Sequence, residues 1–285
     1  MATVTTTPPP VGSNDADLVV IDVTDRIATL TLNRPAMRNA LSNALSRTLR
    51  SAVARAEADA DVDVIIVTGS DPAFCAGLDL KELGSTGGNI NVQAKASPNG
   101  AVEPNEAVEA VEAQHPWEPT TKPVIGAING VAITGGFELA LNCDFLIASE
   151  RASFGDTHTR VGVLPGWGLS VLLPQAIGLR RSIEMSLTGN FISAREALAL
   201  GLVNHVVPHD ELLPTTRRLA GDIVANSAAA VRELLQSYRA IHRMTVGDGE
   251  VHEAEVGRDW LRRTFEPGAV EARRAAILAR GRTQV

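Results

Sequence analysis

Residues 123–148 decide the fold: P-V-I-G-A-I-N-G-V-A-I-T-G-G-F-E-L-A-L-N-C-D-F-L-I-A. Lys122–Ile128 is a β-branched apolar run that predicts a buried strand. The glycine pair Gly135-Gly136 opens a helical pattern that contains Glu138, and Asp144–Ala148 predicts another strand. This order predicts one α/β unit with a buried helix between its strands.

The same rhythm occurs on the N-terminal side. Leu18–Val23 and Ile27–Leu32 predict two short strands around a turn at 24–26. Ser42–Ala60 has helical periodicity, and Val62–Gly69 is another β-branched run that ends in glycine. A recurring pattern of strands and helices is typical of a stacked, coiled α/β core.

The C-terminal side is predicted to be mainly helical from about Ile177. Ser193-Ala-Arg-Glu196 has the pattern of a capping box at a helix start. Leu212–Ile241 and Val251–Arg280 are each interpreted as one long helix rich in Ala, Arg and Leu. We therefore expect an α/β core followed by a helical region.

Two further segments complete the predicted organisation. The first half of Gly84–Glu118 is rich in Gly and Asn and is interpreted as a loop, and Asn105–Gln114 as a helix. Residues 1–17 have the composition of a disordered leader. The predicted divisions are thus a leader over 1–17, a core over 18–208 and a helical region over 209–285.

Composition excludes several classes of protein. The chain has 285 residues, 45% hydrophobic and 21% charged, with a formal net charge of −7. This charge does not favour nucleic acid or an anionic membrane as the main partner. No apolar run is long enough to span a membrane, and the N-terminus lacks the pattern of a signal peptide. Two cysteines without metal spacing favour buried thiols, and we expect a cytoplasmic protein.

Glu138 is the first candidate for chemistry because it is a lone carboxylate inside an apolar run. An unpaired carboxylate is expensive to bury and tends to exchange a proton. Gly135 and Gly136 allow backbone N–H groups to approach a ligand, and a helix N-terminus favours developing negative charge. The combination predicts proton transfer next to a carbonyl. The structural alternative is a carboxylate that caps the first turn of a buried helix.

Several motifs together identify a family. They are L-N-R-P-A-M-R-N-A-L at 32–41, V-T-G at 67–69 with A-F-C-A-G-L-D at 73–79, T-K-P-V-I at 121–125 with N-G at 129–130, G-G-F-E-L-A-L-N-C-D at 135–144, F-G at 154–155 with Gly162 and L-P-G at 164–166, and A-L-A-L-G-L-V at 197–203. From roughly Leu18 to Pro208 the chain resembles the enoyl-CoA hydratase/isomerase (crotonase) family.

The resemblance implies a superhelix of repeated ββα units and a C-terminal helical region that packs in trimers, often paired into hexamers. It also implies binding of an acyl-CoA thioester, with coenzyme A carried by the substrate and no separate cofactor or metal. Members of this family stabilise an enolate with two backbone N–H groups, which fall here on Leu78 and Gly135. Preorganised donors of this kind stabilise charge that develops only in the transition state.

The same resemblance gives the remaining site residues. Glu138 matches the first catalytic glutamate. Arg38 and Lys81 are candidates for pairing with the phosphates of coenzyme A, with ordinary surface charge as the alternative. Trp167 stands at a variable position and is expected to reshape the acyl pocket or to pack in the core. The full set of expected substrate contacts is Arg38, Ala40, Ala76, Gly77, Asp79, Lys81, Gly136 and Trp167.

His158 departs from the pattern of hydratases with two glutamates, because it occupies the position of the second one. A histidine with an ordinary pKa near 6.5 can exchange a proton at neutral pH. We therefore expect His158 to be the catalytic partner of Glu138, with a structural role as the alternative. Asp156 is expected to cap the short helix that begins there, or else to hold the imidazole in one tautomer.

The predicted function is hydration of a 2-enoyl-CoA. Glu138 would activate water or a C–H bond, His158 would be its acid/base partner, and the Leu78 and Gly135 amides would bind the enolate oxygen. One glutamate suffices for double-bond isomerisation, so an isomerase, or a decarboxylase or thioester hydrolase of the same family, stays open. A non-catalytic acyl-CoA-binding protein is the third possibility.

Overall fold

The computed structural model describes residues 18–86 and 115–283. The predicted leader over 1–17 and the predicted helix Asn105–Gln114 lie outside these residues. The strands are β1 Val19–Thr24, β2 Ile27–Leu32, β3 Val64–Gly69, β4 Ala73–Cys75, β5 Val124–Ile128, β6 Val131–Ile133, β7 Phe145–Ser149, β8 Ser153–Gly155, β9 Phe191–Ser193 and β10 His205–Val207. The helices are α1 Asn43–Ala58, α2 Leu80–Thr86, α3 Gly135–Leu141, α4 His158–Val161, α5 Leu169–Ile177, α6 Leu179–Thr188, α7 Ala194–Ala199, α8 Leu212–Val224, α9 Ala228–Ile241, α10 Val246–Thr264 and α11 Pro267–Thr283.

The strands form two sheets. The larger has the order β1-β2-β3-β5-β7-β10 and the smaller the order β4-β6-β8-β9. Among the strands that the structure describes, only the outer pairs β1–β2 and β8–β9 are antiparallel. Each pass of the chain adds one strand to each sheet and then a helix: β3-β4-α2, β5-β6-α3 and β7-β8-α4. This coil of ββα units confirms the predicted crotonase-like fold class.

The inner strands of the larger sheet are buried on both faces, which explains their continuous apolar sequences. Every residue of β3 is buried. Because successive side chains point to opposite faces, Ile65 and Val67 join the main core, whereas Val64 and Ile66 join a second core with Leu212 of α8. A strand with α-helices on one side and a second sheet on the other has no polar face.

The chain divides into two compact units, one ending at Ala228 and the other beginning at Ala229. Helix α8 belongs to the first unit and packs on the larger sheet. The predicted functional division into a core over 18–208 and a helical region over 209–285 stays a prediction.

Both long C-terminal helices were predicted wrongly as continuous. The first is broken at 225–227, where the Asn226 side chain donates to the Asp222 carbonyl at 3.1 Å. Asparagine and serine compete for backbone hydrogen bonds and favour such breaks. The second begins at Val246, ends at Thr264 and restarts at Pro267. Proline disfavours a helical conformation of the residue before it and is well suited to a first helical turn.

The region after Ile177 also contains two strands that the helical prediction missed. Strands β9 and β10 have three residues each, too short for a readable periodicity, and extend the edges of the two sheets. The predicted capping box is confirmed, because the Ser193 side chain and the Glu196 side chain each bind the other's backbone N–H. Among the helices of the described residues, none is long and apolar enough to cross a membrane.

Candidate active site

The start of α3 is pressed against the end of β4. A Cβ atom on Gly136 would lie 2.2 Å from the Cys75 carbonyl oxygen, so only glycine fits there. Thr134, which precedes the helix, has φ 55° and ψ −115°, an uncommon conformation for a β-branched residue. Since both features force the chain into a sharp turn, the backbone of Gly135 and Gly136 is held close to the neighbouring ββα unit.

The turn after β4 lies next to the turn before α3. Gly77 has φ +86°, and a Cβ atom there would lie 2.6 Å from the Ile133 carbonyl oxygen. A Cβ atom on Gly135 would lie 3.9 Å from the Leu78 side chain. The structure therefore brings together the two positions predicted to supply N–H donors.

The N–H of Leu78 points away from its strand neighbour. Leu41 donates to the Gly77 carbonyl at 2.7 Å and accepts from the Asp79 N–H at 2.9 Å. Because successive N–H groups of an extended segment point to opposite sides, the Leu78 N–H is directed away from Leu41. This orientation leaves it available to a ligand oxygen.

Glu138 is buried, with 3% of its surface exposed, and it is not an unpaired carboxylate as the sequence suggested. Its Oε1 atom accepts hydrogen bonds from the Gly166 N–H at 3.1 Å and the Trp167 N–H at 2.7 Å. These two donors satisfy one oxygen and fix the direction in which Oε2 points. The partly buried Trp167 side chain lies against the main core, which is the packing alternative considered for it, and a role in the acyl pocket stays a prediction.

Asn142 ties these donors to the helix that carries Glu138. Its side-chain amide donates to the Glu138 carbonyl at 2.8 Å and to the Trp167 carbonyl at 2.9 Å. His115 contacts the Asn142 side-chain oxygen at 3.3 Å. The segment 166–167 is therefore bound to α3 from both sides, through its N–H groups and through its carbonyl.

His158 faces the second carboxylate oxygen of Glu138, Oε2. It is the first residue of α4, is 3% exposed, and places Nε2 at 3.5 Å from Glu138 Oε2. On the other side of the ring, Nδ1 lies 2.6 Å from Asp156 Oδ1. The imidazole thus stands between two buried carboxylates.

The Asp156 carboxylate contacts both the backbone and the ring of His158. Its Oδ1 atom accepts from the His158 backbone N–H at 3.1 Å as well as from the ring. Burial opposes ionisation of Asp156. Hydrogen bonds from the side chains of His158 and Ser186 outweigh that effect and hold the pKa of Asp156 below its ordinary value.

The two carboxylates set the charge of His158. Burial favours the neutral ring, but the hydrogen bond to Asp156, followed by the interaction with Glu138, raises the pKa of His158 to about 9. At neutral pH the ring is therefore an imidazolium. A buried acid now stands beside the carboxylate of Glu138, with both groups directed at each other.

Residues 38–40 lie next to residues 76–77. The Ala76 N–H donates to the Arg38 carbonyl at 2.9 Å, and Ala40 is buried at 8% exposure. The Arg38 side chain is exposed. A substrate contact at residues 38–40 and 76–77 stays a prediction.

Asp79 is engaged in structure. Its carboxylate pairs with Arg34 at 3.0 Å and accepts from the N–H groups of Lys81 and Glu82 at the start of α2. The Lys81 side chain is exposed. A substrate role for Asp79 and Lys81 likewise stays a prediction.

Comparison with known proteins gives the family. The model of the family described as enoyl-CoA hydratase/isomerase matches residues 22–259. A probable peroxisomal enoyl-CoA hydratase 1 of Arabidopsis thaliana is 42% identical over 72% of both chains.

The chain belongs to the enoyl-CoA hydratase/isomerase family.

Two other relatives agree with this result. A crotonyl-CoA hydratase of Syntrophomonas wolfei is 34% identical over 75% of this chain and 78% of its own. The crystal structure of an enoyl-CoA hydratase from Mycobacterium smegmatis matches with a TM-score of 0.67 and 51% identity, covering 87% of this chain and 99% of that one. The predicted family is thus confirmed, and the protein is an enzyme of the hydratase/isomerase type.

Sequence reasoning did not foresee the roles of three residues at this hydratase/isomerase site. Gly166 and Trp167 bind Glu138 through their backbone N–H groups, and Asn142 is distant from both of them in the sequence. The glycines at 166 and 168 were a usable signal, since Gly168 has φ +93° and the segment between them turns sharply. Nothing in the spacing of Asn142 distinguished it from an ordinary residue at a helix end.

We expect the free energy of unfolding to fall between about pH 6.5 and pH 9. The pKa of His158 rises from 6.5 in the unfolded chain to about 9 in the fold, so its contribution is complete below 6.5 and is lost as pH rises through 9. The loss is on the order of 3 kcal/mol. Urea unfolding of the wild type and of His158→Gln across this range measures the loss, because the variant has no ionisable group at position 158. Equal pH dependence in both proteins would contradict the assignment of charge.

Proposed function

We propose that the enzyme adds water reversibly to the double bond of a 2-enoyl-CoA, with Glu138 and His158 as base and acid. The observation that carries this proposal is the 3.5 Å approach of Glu138 Oε2 to His158 Nε2. Hydration needs one group that removes a proton from water and another that delivers a proton to carbon. A carboxylate beside an imidazolium provides both at neutral pH.

The proposed hydration conserves atoms and charge. Glu138 takes a proton from water while the water oxygen bonds to the β-carbon, and the π electrons move toward the thioester carbonyl. His158 then delivers its Nε2 proton to the α-carbon, which regenerates the carbonyl. Glu138 is left protonated and His158 neutral, and transfer of one proton between them restores the starting state. Because the two groups are neighbours, both additions occur on the same face of the double bond.

The backbone amides of Leu78 and Gly135 are proposed to bind the thioester oxygen. Their turns are adjacent, Leu78 N–H points away from Leu41, and Gly135 opens α3, whose first N–H groups have no acceptor within the helix. Donors fixed before the reaction stabilise the enolate without reorganisation, and loss of one such donor costs about 3–4 kcal/mol in related chemistry.

Recognition of coenzyme A is proposed for Arg38 and Lys81. Both side chains are exposed and flank the turns that carry the proposed amide donors. Arginine and lysine provide the charge and donors that phosphates require. The reaction as written needs no cofactor beyond the coenzyme A of the substrate, and dialysis against EDTA is expected to leave the rate unchanged.

Glu138→Gln is expected to reduce hydration of crotonyl-CoA by at least a thousandfold, since glutamine retains an oxygen for the Gly166 and Trp167 amides but cannot accept a proton. Binding of the product thioester should change less than threefold. Loss of enoyl absorbance measures the rate and isothermal titration measures binding. Glu150→Gln, at an exposed position, is the control with wild-type activity. Unchanged turnover in Glu138→Gln sinks the proposal.

His158→Gln separates hydration from isomerisation. Without the acid, hydration of crotonyl-CoA is expected to fall at least a hundredfold. Wild type and variant are assayed separately with a 2-enoyl-CoA and a 3-enoyl-CoA. If the wild type only isomerises the 3-enoyl substrate, and the variant retains that activity, the enzyme is an isomerase that works with Glu138 alone.

Assembly into trimers or pairs of trimers is also proposed. In the C-terminal unit, Tyr238, Leu261 and Ile277 are each more than half exposed. Large apolar side chains gathered on a surface mark contacts with another chain.

We also propose a cytoplasmic location from the sequence, although the Arabidopsis relative is named as peroxisomal.

Light scattering of the purified protein tests the assembly. The expected mass is three or six times the chain mass of 30.1 kDa. A monomer at micromolar concentration contradicts it.

A further inference from the structure

We propose that Asp156 is a positioning residue that keeps the proton on Nδ1 of His158, so that every proton exchanged by the ring passes through Nε2 toward Glu138. The catalytic meaning of this arrangement rests on the proposed hydration. The arrangement itself rests on the contacts around the ring.

The hydrogen-bond donors and acceptors around His158 decide which ring nitrogen carries the proton. Ionised aspartate only accepts hydrogen bonds, so Nδ1 at 2.6 Å from Asp156 Oδ1 must carry a hydrogen. If Nδ1 is always protonated, the charged ring donates from Nε2 and the neutral ring presents a lone pair there. Nε2 is the atom that lies 3.5 Å from Glu138 Oε2. One tautomer thus serves both halves of a catalytic cycle.

Asp156 is held in place by burial and by a second hydrogen bond. It is 1% exposed, and the same Oδ1 atom binds the backbone N–H of His158 at 3.1 Å. Helix α6, which carries Ser186, packs on α4. A carboxylate that binds both the backbone and the ring of His158 holds the ring plane as well as the tautomer.

Other charged residues also lie near the ring. Glu138 is the only charged residue of α3. On α4, Arg160 donates to the Thr188 carbonyl. The charged side chains of α6 are exposed, and they are those of Arg180, Arg181 and Glu184. The charges that act on His158 are those of Asp156 and Glu138. Removal of the Asp156 charge should therefore leave Glu138 as the only counter-ion.

Asp156→Asn distinguishes positioning from simple capping. Asparagine retains an oxygen for the His158 N–H, so the start of α4 is preserved, but it cannot balance an imidazolium. The matched control is Asp63→Asn, which removes another buried aspartate that pairs with a cation, Arg26, away from the site.

The test is an NMR titration of the histidine ring nitrogens in both variants and the wild type, with His158→Gln used to assign the resonance. In Asp156→Asn we expect the acid dissociation constant of His158 to rise at least tenfold, and the alkaline limb of kcat/KM for crotonyl-CoA to move by the same amount to lower pH. In Asp63→Asn both should match the wild type. An unmoved His158 titration in Asp156→Asn overturns the proposal.

The wild type provides a second readout that needs no variant. At a pH above its titration, the neutral His158 ring is expected to carry its hydrogen on Nδ1, which ring ¹⁵N shifts identify. A hydrogen on Nε2 would overturn the proposal even if Asp156→Asn failed to fold. If the ring behaves as expected but the wild type does not hydrate any 2-enoyl-CoA, the proposed function fails while the tautomer assignment stands.

Discussion

The buried imidazolium of His158, held between Asp156 and Glu138, is the interaction on which the rest of the site depends. Each buried carboxylate is expensive alone, and each needs the positive charge between them. The two carboxylates also accept hydrogen bonds from the backbone amides of Gly166, Trp167 and His158.

The fold supplies the geometry through its repeated units. Parallel registry places consecutive turns of the coil side by side, so that the end of β4 meets the start of α3 and the end of β8 delivers His158. Gly136 permits the first contact because nothing larger fits against Cys75. Asn142 then fixes the segment whose amides orient Glu138. The proposed acid, His158, and the proposed base, Glu138, therefore come from different ββα units.

Much of this could be predicted from the sequence, for definite physical reasons. Strands buried on both faces, such as β3, have continuous apolar runs that are readable without a structure. Glu138 was conspicuous because a carboxylate is rare in such surroundings. The motifs of the family located Leu78, Gly135 and His158, although their roles stay predictions.

The remaining features depend on contacts that one sequence does not display. Backbone donors such as those of Gly166 and Trp167 have no side-chain signature. The charge of His158 depends on carboxylates that only the folded chain brings to both sides of the ring. Helix breaks at 225–227 and before Pro267 were missed because periodicity continued across them. Short edge strands such as β9 are determined by pairing partners rather than by local pattern.

The central claim is that His158 acts as an imidazolium acid beside the carboxyl group of Glu138. The pH dependence of kcat/KM for crotonyl-CoA in the wild type tests it most directly, because that profile reports the groups of the free enzyme. With the pKa of His158 raised to about 9, the rate is predicted to hold through neutral pH and to fall as pH rises through 9, while the protein stays folded. A rate that stays constant or increases from pH 8 to pH 10 would contradict the account.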